Sequence, residues 1–299
     1  MTKQLGFIGT GKIGSAMIRC LLKKGFKVRA WNRTKSKALP LAKEGAVIEK
    51  SIEDVFNKEE IVFLSLGDGK DIIEIILKGK PAKGMLIINT STIDPEDTKK
   101  IEGIVRKRGA EYAEAPVFNA PAQVEKGKNL FVIGGKSEAK KITVSFLRPI
   151  SSNILDAGSA EQAAASKICY NLLHGILVAG TVEAMILSRE LGINPELMKE
   201  IFSKGTVNCS SVLRVRNAVF RKDKKLATFS MNYRLKDSGI ASDCTKRAGQ
   251  KLPVHKSATL QYEKGVRAGL GEQSPAAIWR IYKKKKRRKQ KWRGKTSKS

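Results

Sequence analysis

Gly9-Thr10-Gly11-Lys12-Ile13-Gly14 is the segment that most constrains what this chain can fold into. Three glycines at that spacing say little alone. Here they follow a short apolar run at residues 5–8 and open a helical periodicity at 13–24, and a second apolar run comes at 28–31. Strand, glycine turn, helix, strand is the context that gives the spacing a physical meaning. The first glycine permits a tight turn, the second lets a ligand approach the backbone, and the third lets helix and strand pack closely. The N–H groups at the helix start then favour a negatively charged group such as a pyrophosphate.

The alternation continues. Residues 61–66, 85–89 and 130–133 are near-continuous apolar runs, as expected of strands buried on both faces of a parallel sheet. Helical patterns lie between the runs at 35–44, 71–77 and 95–108, and Pro40 is expected to shorten the first of them. After Gly158 the pattern changes. Residues 160–191 read as one long helix rich in small residues, punctuated by Gly192 and Pro195. Further helices are expected at 195–203, 236–249 and 257–268, with no strand signal of note. The expected class is α/β: an N-terminal Rossmann domain with a doubly wound parallel sheet over 1–157, then a C-terminal all-helical domain over 158–282.

Charge and composition narrow the function. The 299 residues include 58 Lys and Arg against 28 Asp and Glu, a formal charge of +30. About a third of that excess stands in a tail at 283–299, which reads as a solvated extension or as a disordered arm touching nucleic acid or other polyanions. The body stays basic without it, which favours anionic ligands. His174 and His255 are the only histidines, which argues against a multi-histidine metal site, and no nucleophile motif supports a Ser-His-Asp hydrolase. Cys20, Cys169, Cys209 and Cys244 lack metal-ligand spacing and read as buried or bland thiols. No run reaches the roughly 18 consecutive apolar residues of a membrane span. Met1 leads almost directly into the first apolar run without a cleavage-site pattern, so the cytoplasm is the expected compartment.

The end of the second apolar run bears on the cofactor. An NAD site usually places Asp or Glu there to accept from the ribose 2′-hydroxyl. This chain has Asn32-Arg33-Thr34, then Lys35 and Lys37, and no acid stands beside them. Arg33 is suited to a bidentate grip on a 2′-phosphate, with Thr34 donating, so NADP(H) is expected over NAD(H). The alternative is that Arg33 and the lysines merely face solvent.

Lys167 and Asn171 are one turn apart on the long helix and share a face among small and apolar residues. A lysine embedded there is expected to have the lowered pKa that a proton donor near neutrality needs. Asn171 is placed to orient a substrate oxygen or the ammonium. His174, one turn further, reads as a core or interface histidine rather than as the acid. Tyr170 and His174 are the alternative donors.

Several segments, in this order, resemble the β-hydroxyacid dehydrogenase family. Residues 7–17 resemble its N-terminal signature, and Asn89-Thr90-Ser91-Thr92-Ile93-Asp94-Pro95 resembles its segment beside the nicotinamide. Lys167-Ile168-Cys169-Tyr170-Asn171 resembles its catalytic K-x-x-x-N, Lys236-Asp237 a late motif near cofactor and substrate, and Gly269–Ser274 its terminal glycine segment. The resemblance implies hydride transfer between a nicotinamide and the carbonyl or hydroxyl of a small acid or aldehyde, with Lys167 handling the proton. It implies that Thr92 lies by both cofactor and substrate, that Lys236 lies by the cofactor, and that a homodimer or homotetramer forms largely through the helical domain. The chain departs from the family's A-P-V-S-G-G with Ala115-Pro116-Val117-Phe118-Asn119-Ala120, where Phe118 adds apolar bulk and Asn119 an amide to the substrate pocket. Ser274 also stands where an acid is common. The altered pocket leaves imine reduction open, although Lys167 argues against it. A non-catalytic NADP-binding module contacting nucleic acid through the basic surface is the other alternative.

Overall fold

The structure, a computed structural model, describes residues 4–206, 212–221 and 229–282. The basic tail and Cys209 lie outside the described residues. Strands β1 (Gln4–Ile8), β2 (Lys27–Trp31), β3 (Val47–Ile48), β4 (Ile61–Leu64), β5 (Leu86–Asn89), β6 (Glu111–Glu114), β7 (Leu130–Gly135) and β8 (Asn153–Asp156) form one sheet in the order β3-β2-β1-β4-β5-β6-β7-β8. Neighbours from β3 through to β6 pair in parallel. The expected fold class holds with one local difference: β7 runs antiparallel to β6, and β8 follows β7 in parallel. The helices of this half are α1 (Lys12–Lys23), α2 (Lys35–Ala42), α3 (Ile52–Lys58), α4 (Gly69–Gly79), α5 (Pro95–Lys107), α6 (Pro121–Glu125) and α7 (Ser137–Leu147). Pro40 sits inside α2, which ends two residues later.

The apolar runs become strands because both faces of the sheet are covered. Successive side chains of a strand point to opposite faces. Leu5 and Phe7 of β1 accordingly join a core with Met17 and Leu21 of α1, while Ile8 joins a second core with Val55 of α3 and Ile72 of α4. Phe7 and Phe63 stack in the first core with ring centroids 5.8 Å apart.

The remaining helices are α8 (Ala160–Glu190), α9 (Pro195–Lys204), α10 (Val212–Arg221), α11 (Met231–Arg247) and α12 (Pro253–Arg267), followed by a 3-10 turn at Pro275–Ile281. A capping box between Ser159 and Gln162 starts α8, satisfying two backbone donors at once. The first turns of α8 pack against α5, β6 and β7, and the rest of the helix against α10, α11 and α12. Among the described residues α8 alone is long and apolar enough to cross a membrane by length and composition. Its Val178, Val182 and Met185 instead fill a third core with Val215, Val219, Tyr262 and Ile278. The strand order reverses between β1 and β4, whose carboxyl ends lie side by side. Open α/β sheets bind ligands at such a point.

Candidate active site

The glycine turn sits at that reversal, and its three glycines differ in what holds them. Gly9 has φ +100°, and a Cβ on it would stand 2.2 Å from the carbonyl oxygen of Ser65. A Cβ on Gly14 would stand 2.0 Å from the carbonyl oxygen of Gly9. Around Gly11, apart from its chain neighbours, no heavy atom of the described residues lies within 4 Å of the Cβ position. Gly9 and Gly14 are therefore required by the fold, whereas the space over Gly11 is open to a ligand. Gly11 is also the N-cap of α1 and brings no side chain to cap it, and the first turn holds no acid. The N-terminal N–H groups of a helix lack intrahelical partners, so this end offers donors and a favourable dipole to a phosphate. The residues present fit a dinucleotide. Thr10 is buried beside the turn, while Lys12 is exposed and Ile13 half-buried at the start of α1.

Asn32 is committed to the protein itself. Its Oδ1 accepts from the Thr10 N–H at 2.9 Å and its Nδ2 donates to the Thr34 carbonyl at 2.9 Å, so it fastens the glycine turn to the end of β2. Arg33, Thr34 and Lys37 are exposed. The expectation that no acid stands near Arg33 is corrected here. Asp71, in the first turn of α4, places Oδ1 3.3 Å from Arg33 Nη1. It is 38 residues away in sequence and arrives only because the β4–α4 connection folds beside the end of β2.

Lys167 projects from the second turn of α8 and is 8% exposed. Among the described residues its Nζ has no hydrogen-bond or ion-pair partner; it lies 4.8 Å from the centre of the Phe118 ring and 5.2 Å from that of Tyr170. Burial brings its pKa down to about 8; Asp237 opposes the shift, and Arg234 and Lys236 reinforce it. That agrees with the lowered pKa expected of an embedded lysine. Asn171 donates to Asp237 Oδ2 at 2.7 Å. Arg234, 1% exposed, donates through Nη1 to the Asn171 carbonyl at 2.6 Å, and its Nη2 lies 2.6 Å from His174 Nδ1. Since a guanidinium only donates, Nδ1 must accept as neutral imidazole. Burial and Arg234 bring the His174 pKa down to about 3, which suits a structural histidine.

Sequence reading missed Arg234, although a signal was present. Met231, Arg234, Asp237, Ser238 and Ala241 recur at helical spacing and form the buried stripe of α11. Lys236, on an adjacent face, donates to the carbonyl oxygens of Gly67 (3.1 Å) and Thr92 (2.7 Å) and pairs with Asp237 Oδ1 at 3.1 Å. Two of its hydrogen bonds thus go to backbone carbonyls, and it braces α11 against two loops at the carboxyl edge of the sheet.

The loop after β5 and the loop after β6 complete the site. Thr92 is half-buried, and Phe118 meets Tyr170 edge-on with centroids 5.1 Å apart. Asn119 has its side-chain oxygen engaged within the protein: Oδ1 accepts from the Leu130 N–H at 2.8 Å, and its backbone N–H donates to Asn129 Oδ1 at 3.3 Å. Beneath both loops Glu114 is fully buried. It accepts from the Tyr112 hydroxyl at 2.6 Å and from Asn89 Nδ2 at 2.9 Å, and burial pushes its carboxyl up to about 8. Asn89 Oδ1 in turn accepts from the Ser91 N–H, and Ser91 Oγ from the Leu66 N–H.

Known proteins bear on this geometry. Residues 4–158 match the family described as "NAD binding domain of 6-phosphogluconate dehydrogenase", and residues 162–282 match "NAD-binding of NADP-dependent 3-hydroxyisobutyrate dehydrogenase". The chain is 31% identical to the mitochondrial 3-hydroxyisobutyrate dehydrogenase of Bos taurus over 80% of its own length and 74% of the relative's. It is 27% identical to the chloroplastic glyoxylate/succinic semialdehyde reductase 2 of Arabidopsis thaliana, over 96% of this chain and 81% of that one. The structure of Mycobacterium tuberculosis 3-hydroxyisobutyrate dehydrogenase with L-serine shares the fold, with a TM-score of 0.84 at 22% identity over 94% and 99% of the two chains.

Proposed function

Since the chain belongs to the β-hydroxyacid dehydrogenase family and is an NAD(P)-dependent oxidoreductase of hydroxyacid dehydrogenase type, we propose that it is an NADPH-dependent reductase of small carbonyl compounds in which Lys167 is the proton donor. The observation that carries this reading is the buried ammonium of Lys167, which has no hydrogen-bond acceptor among the described residues and whose pKa burial brings down to about 8. A buried charge without an acceptor is unfavourable until an oxygen arrives to take its hydrogen bond. Residues 1–157 hold the cofactor and 158–282 supply the acid and the subunit contacts. NADPH is preferred because Arg33, Thr34 and Lys37 crowd the end of β2 with donors and positive charge.

The bound reduced nicotinamide supplies hydride chemistry. The work of this chain is to position and to move a proton. Gly11 and the first turn of α1 hold the pyrophosphate, and Thr92 lines the junction of cofactor and substrate. Lys167 Nζ donates to the substrate oxygen and delivers its proton as negative charge develops there; in the oxidative direction the neutral amine takes the proton back. Asn171 acts on the ammonium through Asp237 rather than on the substrate directly. Exposed Leu173, Leu177 and Leu187 on α8 and Leu191 at its C-cap support a homodimer or homotetramer formed through the helical half. The tail at 283–299 supplies a salt-sensitive contact to polyanions and is dispensable for turnover.

The test is Lys167→Ala. General acid–base catalysis contributes roughly 10²–10⁴-fold, so turnover of a confirmed carbonyl substrate should fall by that much. NADPH binding, followed by fluorescence, should persist. Near-normal turnover in the variant would overturn the assignment.

A further inference from the structure

Lys167 Nζ lies beside two rings, 4.8 Å from the centre of Phe118 and 5.2 Å from that of Tyr170, and those rings meet edge-on with centroids 5.1 Å apart, so the ammonium sits at one corner of a near-equilateral triangle with them. They come from different parts of the fold: Phe118 from the loop after β6, Tyr170 from α8 itself. Phe118 is half-buried and Tyr170 is 43% exposed, so both rings line the solvent-facing approach to the ammonium. The rings attract the ammonium through the negative charge of their faces, which sets its position without neutralising it.

This geometry constrains what can react. Any oxygen that accepts from Nζ must come within about 3 Å of it. An oxygen that arrives along the side lined by the rings brings its carbon, and the groups on that carbon, against at least one of them. An alkyl or aryl group there gains apolar contact. A carboxylate there meets ring faces of like sign that offer it no donor. The amide of Asn119, next along the loop, has its oxygen turned to the Leu130 N–H and helps fix Phe118 in place. From this we propose that Phe118, with Tyr170, determines specificity: the enzyme selects aldehydes and ketones whose carbonyl carbon carries an apolar substituent, and discriminates against 2-oxo acids whose carboxylate adjoins the carbonyl. The proposal rests on Lys167 being the proton donor.

Kinetics of NADPH oxidation with phenylacetaldehyde, isobutyraldehyde and glyoxylate test it. The wild type should show kcat/KM for both aldehydes above that for glyoxylate by about tenfold or more, the scale on which an apolar pocket discriminates. Phe118→Ser should shrink that ratio about tenfold, and Phe118→Tyr should leave it in place. NADPH binding by both variants reports that they are folded. A wild type that prefers glyoxylate or turns over neither aldehyde, or a ratio unchanged in Phe118→Ser, overturns the specificity assignment. Lys167→Ala separates the two readings. If that variant is inactive while the ratio is unmoved by Phe118→Ser, only the specificity proposal fails; if it keeps turnover, the acid assignment fails and takes this proposal with it.

Discussion

The side-chain amide of Asn171 donates to Oδ2 of Asp237 at 2.7 Å, and both residues are almost wholly buried. The bond joins α8 to α11 and aims a carboxylate at the neighbourhood of Lys167. Asp237 is the one group among the causes of the Lys167 shift that favours the charged amine. With Lys167 as the proposed acid, the pair is placed to tune that group through the charge of Asp237.

A pH profile should expose this tuning. Reduction requires the ammonium, so kcat/KM should fall as pH rises through about 8, and oxidation, which requires the neutral amine, should rise through the same region. Asp237→Asn removes the one opposing charge and leaves burial, Arg234 and Lys236 to act. Its limb should move to lower pH. A limb that stays in place would detach Asp237 from Lys167.

Arg33 and Asp71 should govern cofactor choice. Arg33→Ala removes a charge-assisted contact of about 1.5–3 kcal/mol at full strength. Arg33 is 79% exposed, so solvent screening reduces the loss. NADPH affinity should drop by about tenfold with NADH nearly unchanged. Asp71→Asn should act in the opposite sense, since it frees Arg33 and removes a negative charge facing the 2′-phosphate. Fluorescence titration with both cofactors measures each effect, and equal losses for the two would rule out a 2′-phosphate site.

Much of this was legible in the sequence and some was not, for reasons that residues make plain. The strands with continuous apolar runs were found because both their faces are covered. β6 was missed: its residues Glu111-Tyr112-Ala113-Glu114 look solvent-facing, yet Glu114 is fully buried on donors from Tyr112 and Asn89. β3 has two residues and β8 is mostly exposed, so neither leaves an apolar run. Helices α3, α6, α7 and α10 also went unread. Lys167 and Asn171 were visible because one helix turn links them. Arg234 and Asp71 reach their partners across 60 and 38 residues, a relation that only the folded chain creates.

The exposed leucines of α8 should be subunit contacts. Leu187 is 60% exposed and Leu191 67% exposed, an apolar end that water does not favour. Leu177→Glu with Leu187→Glu should give a smaller species than the wild type in light scattering, with the far-ultraviolet spectrum kept. An identical mass for the two would show that this face is not buried in the assembly.

The glycines should separate folding from binding. Gly14→Ala forces a Cβ to 2.0 Å from the Gly9 carbonyl oxygen, so the turn must shift, and overpacking of this kind costs about 1–3 kcal/mol or more. Its melting temperature should drop. Gly11→Ala meets nothing, so its melting temperature should hold while NADPH binding weakens. Equal melting losses would show that the turn treats the two positions alike.

That difference has an evolutionary consequence. Selection for the fold alone preserves Gly9 and Gly14 in any descendant of this chain, whether or not it still handles a nucleotide, because their own neighbours forbid a side chain. Gly11 has no such guard. A lineage that abandoned the chemistry would drift first at Gly11, and a comparison of the three positions across descendants would date that loss from sequence alone.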